Sequence, residues 1–126
     1  MTPFAIGVVA GLFVLQASIA APRQDFTDCL KKASLQAMAQ KVSPDQYGAF
    51  ATQQCSGPGA SFKAALIAFD VKNGVKRGQA ASDAQLQIDD YVAMSAEKYE
   101  AKADFAAKPS PTPQAVQAAA PAPKQD

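Results

Sequence analysis

Residues Asp25–Cys55 read DFTDCLKKASLQAMAQKVSPDQYGAFATQQC, and this stretch holds two helices with a proline-marked turn between them. Phe26, Cys29, Leu30, Ala33, Ala37 and Met38 recur at intervals of three and four, the apolar stripe of a helix from about Asp25 to Lys41, with Asp25 or Thr27 available to cap it. Val42 leads into Ser43-Pro44-Asp45-Gln46. That run combines a serine suited to the N-cap, a proline suited to the first helical position, and a glutamine placed to complete a capping box. The spacing predicts a second helix from Pro44 to about Gln54 or Cys55, with Tyr47, Phe50, Ala51 and Gln54 on its inward face.

The two cysteines follow from this geometry. Cys29 lies fourteen positions before Ser43 and Cys55 twelve after it. At about 1.5 Å per helical residue, an antiparallel hairpin turning at Ser43 brings both to the same level. They are expected to form one structural disulfide, stabilising the fold by roughly 3 kcal/mol through loop closure. The competing reading, a reactive thiol pair, calls for a Cys-x-x-Cys spacing or a cation-rich pocket, and the sequence offers neither.

After Cys55, Ser56-Gly57-Pro58-Gly59 reads as a turn, with Ser61 as the cap of the next helix. Phe62, Ala65, Leu66 and Phe69 then resume a helical stripe that continues through Asn73, Ala80, Ala84, Ile88, Tyr91, Ser95 and Tyr99 without a change of phase. Two arrangements fit. Asn73-Gly74 and Gly78 can end one helix and start another, giving four helices; the unbroken phase favours one long helix, bent near Gly74, running to about Ala103. Either way the domain is all-α: a disulfide-linked helical hairpin followed by long helical structure.

Both ends of the chain differ from this middle. Phe4–Leu15 is an apolar run too short to span a bilayer comfortably but suited to a secretory signal, with Ser18 and Ala20 at the small-residue positions of a cleavage site. Residues 1–20 are therefore expected to be a signal peptide, and the mature protein to be periplasmic or secreted. No Lys or Arg precedes the run, so an uncleaved anchor is the alternative, and only then is the membrane a partner. Residues 21–106 are expected to form the helical domain of a mature chain that, with its tail, has about 105 residues. Residues 107–126 carry Pro109, Pro111, Pro113, Pro121 and Pro123 among Ala, Gln and Lys, a composition that cannot build a core and predicts a disordered tail.

Most chemistries are excluded by composition. The chain has no histidine, and so lacks the commonest general base and the commonest metal ligand. With both cysteines bridged, zinc would have to rely on carboxylates alone, so no metal site and no cofactor are expected. Ser95-Ala-Glu-Lys98 matches a Ser-x-x-Lys pattern, but without the larger domain and further motifs that such enzymes need it reads as helix surface. Asp89 and Asp90 are adjacent and diverge by about 100° on a helix, which is unsuited to paired carboxylate catalysis. Asp70–Gly74 places Lys72 and Gly74 where calcium ligands belong. Gly57-Pro58-Gly59 has no following Lys-Ser or Lys-Thr to hold phosphate. No enzyme is expected, and a net charge of +1 gives no general attraction to nucleic acid.

What remains is binding. Lys63, Lys72, Lys76 and Arg77 make the first half of the long helical segment basic, while Asp83, Asp89, Asp90, Glu97, Glu100 and Asp104 dominate the second. Two such helices lying antiparallel would pair unlike charges. Ile88, Tyr91, Val92 and Tyr99 are therefore a candidate surface for self-association or for another envelope protein. The competing reading has Tyr91 and its neighbours covering the stapled hairpin. A second candidate site is a groove between hairpin and long helix around Tyr47, Phe50 and Phe69, suited to a small apolar ligand or a partner's helix.

The segment Ala84-Gln-Leu-Gln-Ile-Asp-Asp-Tyr91, together with the two spaced cysteines before it, resembles small exported helical proteins of unknown function from Gram-negative bacteria. The resemblance spans Phe26 to Tyr99. It implies a helical fold and a periplasmic location, and carries no activity and no site residues.

Overall fold

Four helices account for nearly all of residues 10–108, the part of the chain that the computed structural model describes, with side chains from Ile19 onward. They are α1 (Ala10–Ala39), α2 (Pro44–Gln54), α3 (Ser56–Lys72) and α4 (Arg77–Ala107), with no strand among the described residues. The side chains of the expected signal run Phe4–Leu15, and residues 109–126 of the expected disordered tail, lie outside the described residues. The helix α1 passes without interruption through Ala20 and Ala21 and contains Pro22.

The ends of α1 and α3 share one device. Lys41 adopts a left-handed backbone (φ 56°), and Gly74 another (φ 92°). After the first, Val42 N–H returns to Ala37 O at 2.9 Å and Lys41 N–H to Met38 O at 3.2 Å. After the second, Val75 N–H returns to Asp70 O at 2.9 Å and Gly74 N–H to Val71 O at 3.1 Å. Each pair satisfies carbonyls that the helix end leaves without a partner. Glycine takes this conformation freely and lysine does so at a cost.

Four expectations change here. The helix expected from about Asp25 is already running at Ala10, so neither Asp25 nor Thr27 caps it, and the Thr27 hydroxyl donates to Gln24 O at 2.9 Å. The long helix from Ser61 to Ala103 is two helices, because Asn73-Gly74 forms the left-handed stop just described and α4 restarts at Arg77. The Ser56–Gly59 turn is instead the first turn of α3, and Ser61 caps nothing. Pro58 falls where helical N–H groups have no partner in any case, so it is tolerated there. It does prevent α2 and α3 from sharing one ladder, because a continuous helix would need its missing N–H for the Gln54 carbonyl; the chain breaks at Cys55 (φ −108°, ψ 22°). Finally, Ser43 has the extended N-cap backbone but its hydroxyl makes no capping bond. Its carbonyl takes the Gln46 N–H at 3.0 Å.

The contacts define the topology. Cys29 is bonded to Cys55, with Cα atoms 5.8 Å apart. Gly59 lies so close to the Phe26 ring that a Cβ there would sit 3.2 Å from Cε2. Partners on α1 thus fall from 29 to 26 as the chain rises from 55 to 59, so α2 and α3 run in series antiparallel to α1. The return helix α4 passes α3 first, with Lys63 Nζ 2.7 Å from Gln85 Oε1, and then α2, where Tyr99 stacks on Tyr47. It therefore runs parallel to α1. The result is an up-down-up bundle whose middle arm is broken at the bridged cysteine.

Two aromatic groups fill the core. Phe26, Phe62 and Tyr91 meet on the α3 side of the break with ring centroids 5.6 to 6.1 Å apart. On the other side Tyr47 and Tyr99 stack at 4.2 Å and 8°. Such pairs contribute about 0.5–1.5 kcal/mol each beyond the area they bury. Ala33, Ala37, Ala51 and Ala84 are also buried, small residues that let the helices approach closely.

Candidate binding groove

The buried tyrosines also satisfy their own polar ends. Tyr47 Oη lies 2.6 Å from Ser95 Oγ and donates to Leu30 O at 3.3 Å, which leaves the serine hydroxyl to donate to the tyrosine. Tyr99 donates its hydroxyl to Val42 O, holding the α1–α2 turn against α4. No buried side-chain N or O atom among the described residues lacks a partner. Both hydroxyls act between elements, and the core they occupy is closed.

The candidate interaction surface is accordingly turned inward. Tyr99 is buried, while Ile88, Tyr91 and Val92 are partly buried against the core. Tyr91 meets Phe26 and Phe62 edge-on and so covers the stapled hairpin. Lys63 donates to Gln85, whose amide nitrogen donates to Asp89 Oδ1 at 2.8 Å. The fold-back at Gly74 sets α3 beside α4, with no ion pair between them among the described residues.

Tyr47, Phe50 and Phe69 do not frame one groove. Tyr47 is fully buried and Phe50 packs against the core from α2, whereas Phe69 lies beyond the Cys55 break on α3. The structure instead opens a groove of about 360 Å³ between α1 and α4. Its apolar lining is Leu30, Tyr91 and Met94; the hydroxyls of Thr27, Ser34 and Ser95 punctuate it. Lys31, Lys98 and Lys102 stand on its rim. Volumes of roughly 300–1,000 Å³ are typical of small-molecule sites.

Electrostatics distinguish this groove from the rest of α4. After Arg77 the helix carries two lysines and six carboxylates; both lysines line the groove and none of the carboxylates does. The one ion pair among the described residues is Lys31 with Asp28, at 3.4 Å and exposed. The Gln24 amide donates to the Asp28 carboxylate at 3.0 Å and, with Lys31 beside it, holds that group below the usual aspartate range. Lys98 and Lys102 have no described carboxylate within 4 Å.

A second, shallower depression lies between α2 and α4, lined by small residues such as Gly48, Ala49 and Ala93. A third surrounds the bridge near Cys55 and Gly59. Neither gathers charge of one sign. Among the described residues no cluster of three His, Cys, Asp or Glu side chains has the spacing to hold a metal ion, and no helix is long and apolar enough to cross a membrane.

Sequence reading missed Lys31, Lys98, Lys102, Leu30 and Met94 as a group. The one available signal was the three- and four-residue steps of Tyr91, Ser95, Lys98 and Lys102 along one face of α4. Only the parallel placement of α1 shows that Leu30 and Lys31 face it. No protein family model, curated protein or solved structure matches this chain.

Proposed function

We propose that the protein is an exported, non-enzymatic binding or structural component of a bacterial envelope, working in the periplasm or outside the cell. The Cys29–Cys55 bridge carries this reading. Structural disulfides persist in oxidising compartments, and this one clamps the break between α2 and α3 to α1. The apolar run at Phe4–Leu15 and the small residues before Ala21 support cleavage there. A chain starting at Ala21 would also place Pro22 in the first turn of α1, where its missing N–H costs nothing. Such a cut removes Ile19, which packs against the edge of the core. The resemblance to small exported helical proteins points the same way.

A second reading, a small-ligand binder, is supported by the α1–α4 groove, which Tyr91 helps to line, whereas Tyr99 is buried and Ile88 and Val92 are partly buried against the core. The test of export is the intact mass of protein taken from its native envelope fraction. A chain beginning at Ala21 whose mass rises by two hydrogens on reduction supports the reading. A full-length chain with free thiols in the cytoplasm overturns it.

A further inference from the structure

We infer that the α1–α4 groove binds a single-chain amphiphile with an anionic head, the alkyl chain lying along Leu30, Tyr91 and Met94 and the head between Lys98 and Lys102. This deepens the ligand-binding reading above and rests on it. Three observations carry the inference. The first is shape and lining, since Leu30, Tyr91 and Met94 give the groove apolar surface among its hydroxyls and lysines, and its α4 residues extend from Tyr91 to Lys102, about 16 Å along the helix axis.

Charge is the second. Lys98 and Lys102 are four residues apart on one helix face, an arrangement of like charges that opposes helix stability. Carboxylates are plentiful on α4, yet none lies within ion-pair distance of either lysine. An anion between the two ammonium groups relieves their repulsion; Lys31, which also lines the groove, is already paired with Asp28. Inorganic anions would need only the lysines; the apolar floor distinguishes an amphiphile from them.

Exposed apolar surface is the third. Met94 is 52% exposed on the groove wall, and Phe105, 81% exposed, follows eleven residues later, within about 20° of the same helix face. An apolar side chain such as Met94, left in water on the wall of a groove that lysines also line, is what an alkyl chain would cover. The hydroxyls of Thr27, Ser34 and Ser95 leave the lining able to tolerate water when the groove is empty.

The test is titration calorimetry of the full disulfide-bonded chain with monomeric dodecyl phosphate, kept below its micelle-forming concentration. Dodecyl maltoside and inorganic phosphate serve as the chain-only and head-only counterparts. Saturable one-to-one binding of dodecyl phosphate is expected, at least tenfold tighter than either counterpart. Lys98→Gln/Lys102→Gln should weaken it by about tenfold, and Met94→Asp by a similar factor. All three positions are exposed, so the variants should keep the wild-type helical circular dichroism.

Equal affinity for dodecyl maltoside or for inorganic phosphate overturns the inference, as does binding unchanged in both variants. Capture only by vesicles of anionic phospholipid, with no binding of the monomer, also overturns it and assigns the lysines to a membrane surface. A cytoplasmic, reduced chain that still binds dodecyl phosphate would sink the export reading alone. An exported, bridged chain that does not bind would sink this inference alone.

Discussion

Replacing both Cys29 and Cys55 with alanine is expected to remove about 3.5 kcal/mol of stability through the unfolded state, because the bridge closes a loop between residues 26 apart in sequence. Cys55 is also fully buried at the joint of α2 and α3, so losing its sulfur leaves a small void worth roughly another 1 kcal/mol. A domain of this size has a total margin of about 5–15 kcal/mol, so the loss is a large fraction of it. With a urea m-value of about 1–2 kcal/mol/M, the midpoint should fall by roughly 2 M or more. Far-UV circular dichroism of oxidised wild type, reduced wild type and the double-alanine protein separates the two contributions. The oxidised-to-reduced step isolates the bridge, and the reduced-to-alanine step isolates sulfur packing. The m-value should rise when the bridge is lost, because the unfolded chain expands. An oxidised-to-reduced difference below about 1 kcal/mol, or an unchanged m-value, would refute the view that the bridge acts by restraining the unfolded chain.

Lys41→Gly should stabilise the protein by about 0.5–1 kcal/mol, since the position is left-handed, whereas Gly74→Ala should destabilise it by about 1–2 kcal/mol for the same reason; opposite shifts in urea midpoint test the pair. Tyr99→Phe keeps the stack on Tyr47 but deprives Val42 O of its donor, and is expected to cost about 1–2 kcal/mol in the same assay. Asp28, whose pKa is lowered by the Gln24 amide and Lys31, contributes a small stability that is present at neutral pH and lost as pH falls through its depressed folded value. The difference in thermal midpoint between wild type and Asp28→Asn should therefore disappear in strong acid, and a difference that persists there would rule this contribution out.

Local signals located the turn between α1 and α2 better than the other helix ends, since α1 starts at Ala10 rather than Asp25 and α3 at Ser56 rather than Ser61. The end of α1 near Lys41 and the start of α2 at Pro44 follow from residues within one turn of each boundary. The run Gly57-Pro58-Gly59 looked like the stronger break and Asn73-Gly74 like a bend, but the reverse holds. Helix phase survives across 73–77 by coincidence of spacing, while the backbone at Gly74 reverses direction. Gly59 is small because the Phe26 ring occupies the place of its side chain, a requirement set by a residue 33 positions away.

By itself the sequence determined the all-α class, the pairing of Cys29 with Cys55 and the hairpin they bridge, because apolar period, the proline at the start of α2 and loop closure act over a few residues or along a single hairpin. The tertiary structure alone decided that α4 runs parallel to α1 and that Tyr91 and Tyr99 serve the core. It also decided that Leu30, Lys31, Met94, Lys98 and Lys102 face one groove. Those facts depend on which helix faces meet, and the period of a helix shows that a face exists without showing what lies opposite it.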